Sequence, residues 1–169
     1  RGDYLVRGLA ACGVCHGQDY ANPDSPLSGG RVMHDRFGSV SAANITPDKE
    51  TGIGAWSLSE IMRALRASLG KNAQALSIDV HQQYRWMANR DAEAIAVYLL
   101  SQKPVFNQIE RRELSGFQRR KWGVISQHSE VLGYVPAVPE KAVPQYGLYL
   151  ASHVAGCRTC HTPEGEMFD

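Results

Sequence analysis

Cys12-Gly13-Val14-Cys15-His16 is the stretch on which the reading of this chain turns, and Cys157-Arg158-Thr159-Cys160-His161 repeats its pattern near the other end. Cys-x-x-Cys-His is the attachment signature of c-type haem. Two thiols three positions apart reach the two vinyl groups on one edge of a porphyrin and hold it through thioethers. The next residue, His, then places an imidazole nitrogen on the iron, for which neutral imidazole is a good ligand. The spacing therefore predicts two covalently attached haems c. Cys12, Cys15 and His16 hold the first, and Cys157, Cys160 and His161 the second, with His16 and His161 on the two irons.

The two copies match beyond the cysteines. Gly2, Tyr4, Leu5, Ala10, Cys12, Cys15 and His16 align with Gly147, Tyr149, Leu150, Ala155, Cys157, Cys160 and His161 at one constant offset. This is an internal repeat of a helix leading into a haem motif. All four cysteines of the chain lie in the two motifs, so none remains for a structural disulfide. A zinc site closed by the four cysteines is the weaker reading, because each pair is followed by His and the pairs lie far apart.

The chain has 169 residues, room for one large domain or two small ones. Its 18 basic and 17 acidic side chains nearly balance, which removes the case for nucleic-acid binding. No stretch approaches the roughly 18–20 apolar residues of a membrane span. The longest apolar run, Ala92 to Leu100, is interrupted by Glu93. The sequence starts at Arg1 without a signal peptide, and a targeting or anchoring segment is expected outside it.

Gly2 to Ala11 reads as an amphipathic helix with Tyr4, Leu5, Leu9 and Cys12 on one stripe. Residues 22–30 and 37–56 are rich in Pro, Ser and Gly and read as turns. Ser57-Leu58-Ser59-Glu60 is a capping box. The helix it opens is expected to bury Ile61, Leu65 and Leu69, with Met62 beside them, and to stop at Gly70. Asn89 or Asp91 starts another helix, with Ile95, Val97, Tyr98, Leu99 and Leu100 as core and Pro104 after its end. The expected architecture is all-α. Residues 1–104 form a cytochrome c-type domain around covalent haem, since a porphyrin supplies an apolar centre that so small a fold lacks. Residues 105–145 form a linker with a short helix bearing Arg111, Arg112, Arg119, Arg120 and Lys121, which reads as a solvated basic face or a docking surface. A Pro-rich semi-rigid segment follows. Residues 146–169 begin a second cytochrome c domain.

The first domain resembles the multihaem cytochrome c subunits of membrane-bound alcohol, sugar-acid and aldehyde dehydrogenases. The resemblance lies in Tyr4-Leu5 before the motif, Gly29-Gly30, Phe37-Gly38, Asn44-Ile45-Thr46-Pro47-Asp48, Thr51-Gly52-Ile53-Gly54, Trp56, and the Ala94 to Leu100 helix before Pro104. It covers roughly the first hundred residues and resumes near Tyr146. It implies tandem class I-like domains passing electrons on the periplasmic or outward face of the cytoplasmic membrane. Their partners would be other redox subunits or cytochromes of a membrane complex, respiratory or photosynthetic.

One departure concerns the sixth iron ligand. The resemblance implies an axial Met in a Met-Pro-Tyr-like segment, but the corresponding position is Asp79, a poor substitute for a thioether. His81 falls in the loop before the last helix, where a sixth ligand belongs, and Met87 is the alternative. Met33, Met62, His34, a partner chain or an open site complete the possibilities. A His81 ligand would make the first haem bis-histidine. The second haem's sixth ligand is not assignable from sequence, with His128, His153 and Met167 all badly placed. Two functions follow. An electron carrier has both irons closed. A haem enzyme of peroxidase-like or sulfur-oxidoreductase type has one open. The sequence leaves the question of enzyme activity undecided and leans to a non-catalytic electron-transfer subunit.

Overall fold

The computed structural model describes residues 1–19, 21–74, 76–127, 131, 133–157 and 161. The chain enters through a helix, as its apolar spacing predicts, but residues Tyr4–Leu9 take wide π-type turns. The Ala10 N–H donates to Leu5 O at 2.8 Å and the Cys12 N–H to Val6 O at 2.9 Å. Widening the turn moves the apolar stripe. Leu5 and Val6 face the core, whereas Tyr4, expected on that stripe, is 55% exposed. A single short helix, α1 (Gly13–His16), follows at once and leads from Cys12 through Cys15 to His16.

The all-α expectation needs one amendment. Residues 32–41, of which 37–41 are expected from the sequence as turns, form an antiparallel hairpin of β1 (Val32–Asp35) and β2 (Gly38–Ser41). Asp35 pairs with Gly38 across the turn, the Phe37 N–H donates to the Asp35 carboxylate at 2.9 Å, and Gly38 takes φ +105°. The following segment is structural framework, with Asn44 and Thr46 buried. The Asn44 carbonyl accepts from the Thr46 N–H at 3.0 Å and hydroxyl at 2.7 Å, and its amide donates to Thr51 Oγ1 at 3.0 Å and Val105 O at 2.8 Å. This side-chain network supplies the pairing that a buried loop cannot get from regular structure.

The Ser57–Glu60 capping box forms as the sequence predicts and opens α2 (Leu58–Ala67). The helix ends earlier than expected. Ser68, not Gly70, takes the left-handed conformation at φ +53°, and its hydroxyl donates to Ser77 O at 3.1 Å. Leu69 therefore leaves the helix and joins a separate small cluster with Phe37, Ala67, Leu114 and Trp122. A one-turn helix α3 (Ile78–His81) and a 3₁₀ turn (Gln82–Trp86) lead to α4 (Asn89–Leu100). Ala92, Ile95, Ala96 and Leu99 of α4 are buried, and Val97, expected in the core, is 51% exposed. The first helix crosses α4 closely: a Cβ on Gly2 would lie 2.2 Å from Ala94 O, so only glycine fits there. Leu5, Val6, Ile61, Tyr84, Met87 and Ile95 meet in the main core.

The segment after α4 lies against this body. Its basic helix is α5 (Gly116–Gln127), opened by Ser115, whose hydroxyl accepts from the Gln118 N–H at 3.3 Å. Two of its expected solvated cations are engaged within the chain: Arg111 bonds Gln74, and Arg112 pairs with the enclosed Asp35 carboxylate. Arg119, Arg120 and Lys121 are exposed. Helix α6 (Pro144–His153), the lead-in to the second motif, inserts Tyr149 into the main core, and Val154 follows it there.

Candidate haem site

The first motif is fixed by backbone bonds. At α1 the His16 N–H donates to Cys12 O at 2.8 Å, and from outside the Gly29 N–H donates to His16 O at 2.8 Å. The His16 ring bonds the Ala43 carbonyl through Nδ1 at 2.7 Å. Nδ1 thus bears the proton, and Nε2 is the nitrogen with a free lone pair, the second-shell arrangement that orients metal-bound imidazoles. Burial lowers the His16 pKa against that hydrogen bond, which favours the neutral imidazole a metal needs. Burial likewise pushes the Cys12 thiol up to about 12, and it raises Cys15 against the pull of Arg31.

His81, at the end of α3, stands opposite. Its ring centre lies 6.3 Å from that of His16, with the planes 32° apart. Geometry gives that distance a meaning. With a metal–nitrogen bond of about 2.0–2.1 Å and about 1.2 Å from a ring nitrogen to the ring centre, two imidazoles on opposite sides of one ion have centres roughly 6.4–6.6 Å apart, slightly more than the distance here. The Nδ1 of His81 is buried and has no hydrogen-bond partner among the described residues. Burial foremost, with the neighbouring His16 second, drives the His81 pKa down to about 4, so this ring too is neutral. The spacing would let both imidazoles reach one haem iron.

The other ligand possibilities occupy different surroundings. Asp79 faces the hairpin, accepting from the Arg36 N–H at 3.1 Å and its Nε at 3.0 Å. Met87 is fully enclosed in the main core, and Met62 packs against that core. Met33 and His34 lie on β1, where the His34 ring meets the Ser39 hydroxyl at 3.4 Å. Sequence alone marks Tyr84 only as the aromatic before the last helix, not as a functional residue. Its ring centre lies 5.7 Å from that of His81, and its hydroxyl donates to Ala10 O at 3.0 Å, bridging the two sides of the site.

In the second motif Cys157 and His161 are exposed. Cys160, His128 and Met167 lie outside the described residues. The His153 ring sits 6.2 Å from that of Tyr149 on α6. Among the described residues no helix is long and apolar enough to cross a membrane.

No protein-family model matches the chain. It is 30% identical, over 96% of its length, to a gluconate 2-dehydrogenase cytochrome c subunit of Pantoea cypripedii, and covers 37% of that protein. It is 30% identical over 96% of its length to the fructose dehydrogenase cytochrome subunit of Gluconobacter japonicus, covering 34% of it. It is 28% identical over 98% of its length to the cytochrome c subunit of alcohol dehydrogenase (quinone) of Gluconobacter oxydans, covering 35% of it. The chain thus spans about a third of the length of these relatives.

Proposed function

Since the homologues of this chain are cytochrome c subunits of dehydrogenases, we propose that it is an electron carrier in such a complex, holding haem c at each of its two motifs. Haem iron supplies a centre that gains and loses one electron. Cys12 and Cys15 would tether the first haem, with His16 and His81 as its iron ligands; Cys157, Cys160 and His161 would hold the second. The observation that carries this reading is the pair of neutral imidazoles facing each other 6.3 Å apart. Two opposed ligands leave no iron position for a substrate, which favours a carrier over a peroxidase-like or sulfur-oxidising enzyme.

The protein's part is to keep both ligands in place through the redox change. Ala43 fixes the His16 ring, and Tyr84 packs on His81. Bis-histidine ligation lacks the thioether that raises the potential of His/Met sites, so this haem should lie at the low end of its chain of carriers. The partners would be the dehydrogenase's other redox subunits, on the periplasmic face of the membrane where haem c is attached.

The test is electron paramagnetic resonance of the oxidised holoprotein. A low-spin bis-histidine signal from the first haem is expected, and His81→Ala should convert that haem almost completely to a high-spin, ligand-accessible form. His81→Met should raise its potential by a sizeable part of the roughly 0.8 V that axial ligands span. An unaltered low-spin spectrum in the alanine variant would refute the assignment.

A further inference from the structure

The haem motif at Cys157 is tied to the first domain by buried polar bonds. The Tyr149 hydroxyl donates to Asp91 Oδ2 at 2.7 Å and accepts from the Ala88 N–H at 3.1 Å. Asp91 is 1% exposed and Tyr149 6%. The other Asp91 oxygen accepts from Arg1 Nε, and Arg1 also pairs with Glu140 in the linker. Glu140 in turn lies 2.9 Å from Arg90. Farther back, Asn89 and Val135 exchange two bonds: the Asn89 N–H donates to Val135 O at 3.0 Å, and the Val135 N–H to Asn89 Oδ1 at 2.7 Å. The linker and α6 are thus attached to three successive residues at the start of α4, Asn89, Arg90 and Asp91. The chain then turns at Gly156, with φ +66°, against the side chain of Gln83. Gln83 belongs to the 3₁₀ turn whose Tyr84 packs on His81.

A surface linker has no need of an enclosed carboxylate. Desolvating Asp91 is unfavourable unless each oxygen is paired, and the groups pairing it come from the first residue and from α6. Tyr149 also occupies the place in the second repeat that Tyr4 occupies in the first. Tyr4 is exposed, so the burial of Tyr149 is not inherited from the repeat's own packing. We propose that Asp91 and Tyr149 are positioning residues that fix α6, the helix leading into the second haem motif, against the start of α4, and through it set the separation of the two haems. The proposal rests on the reading that both motifs bind haem. Electron tunnelling falls off steeply with distance, so a fixed separation fixes the rate of transfer between the sites.

The test uses the full-length holoprotein and two readouts: the iron–iron distance distribution from pulsed electron paramagnetic resonance, and the rate of electron equilibration between the haems after flash reduction. The wild type should give one narrow distance. Tyr149→Ala should broaden it and slow equilibration at least tenfold, with the spectrum and potential of the first haem unchanged. Tyr149→Phe, which keeps the ring and removes only the hydroxyl, should give a smaller change in the same direction, and it serves if the alanine variant does not fold. Haem bound at both motifs with distance and rate unaltered in these variants overturns the positioning role alone. A wild type without haem at Cys157 and Cys160 overturns the reading that both motifs bind haem, and the positioning role with it.

Discussion

The two sides of the first site are built differently. On the His16 side the ligand belongs to the same short helix that bears the motif, and neighbouring backbone holds it: Gly29 N–H on its carbonyl, Ala43 O on its ring. On the other side His81 ends a one-turn helix in a long connection, and distant side chains hold that connection. The Trp122 indole of α5 donates to Leu76 O at 3.0 Å, Arg36 of the hairpin engages Asp79, and Arg111 reaches Gln74. The lesson is that backbone groups hold the His16 side and side chains hold the His81 side. The His81 loop should therefore be the side that loosens first.

The largest effect should come from breaking the backbone-built side. Gly29 takes φ +76°, and a Cβ there would lie 2.4 Å from Ala42 O and 2.5 Å from Ala43 O. Backbone strain of ~1–3 kcal/mol adds to overpacking of a similar size, so Gly29→Ala should cost about 3–5 kcal/mol in denaturant unfolding. It should also disturb His16, because the displaced carbonyl of Ala43 is the one that orients its ring.

Trp122→Ala attacks the other side. Trp122 is buried in the small cluster with Phe37, Leu69 and Leu114, and its loss should cost about 3 kcal/mol. The informative readout is ligand exchange. Cyanide or imidazole should bind the first haem faster in this variant, with His16 ligation intact. Equal exchange rates in the variant and the wild type would show that α5 does not support the His81 loop.

This difference also governs what can be read from the sequence. The motif, the capping box and α4 are legible because each is a pattern of neighbouring residues. The sequence offers His81 by its place in the chain and Met87 beside it; the distance of His81 to His16 emerges only in the fold. The hairpin escapes a reading of the sequence because Gly38 and the surrounding polar residues look like turns, and the strands are only four residues each. The outward turn of Tyr4 follows from π-type widening, which spacing counted at 3.6 residues per turn does not anticipate. The roles of Asn44, Asp91 and Tyr149 depend on partners far away in sequence: Val105, Arg1 and Asp91 respectively. The basic segment illustrates the same limit. Composition alone makes Arg112 a solvated or docking cation, whereas the Asp35 that it pairs with lies far away in the sequence.

That pair gives the smallest effect and the sharpest dependence on pH. The Asp35 carboxylate is fully enclosed and Arg112 nearly so. Burial by itself would raise the carboxyl pKa, but the hydrogen bonds led by Arg112 outweigh it and hold it below the ordinary value of 3.8. A depressed folded-state pKa means the folded form binds the proton less readily than the unfolded form. The stabilisation is therefore present above the unfolded value and is lost as pH falls through the folded one. Asp35→Asn should lower unfolding stability by about 1.5–2 kcal/mol at neutral pH, the scale of a charge-assisted hydrogen bond. The difference between variant and wild type should shrink as the solution is acidified below 3.8. Denaturant titrations at neutral and acid pH decide it. A gap that persists undiminished in acid would show that Asp35 acts through its shape in the hairpin turn, not through its charge on Arg112. The hairpin would then be tied to the segment before α5 by packing alone, and the His81 loop would lose a charge-dependent support on that side.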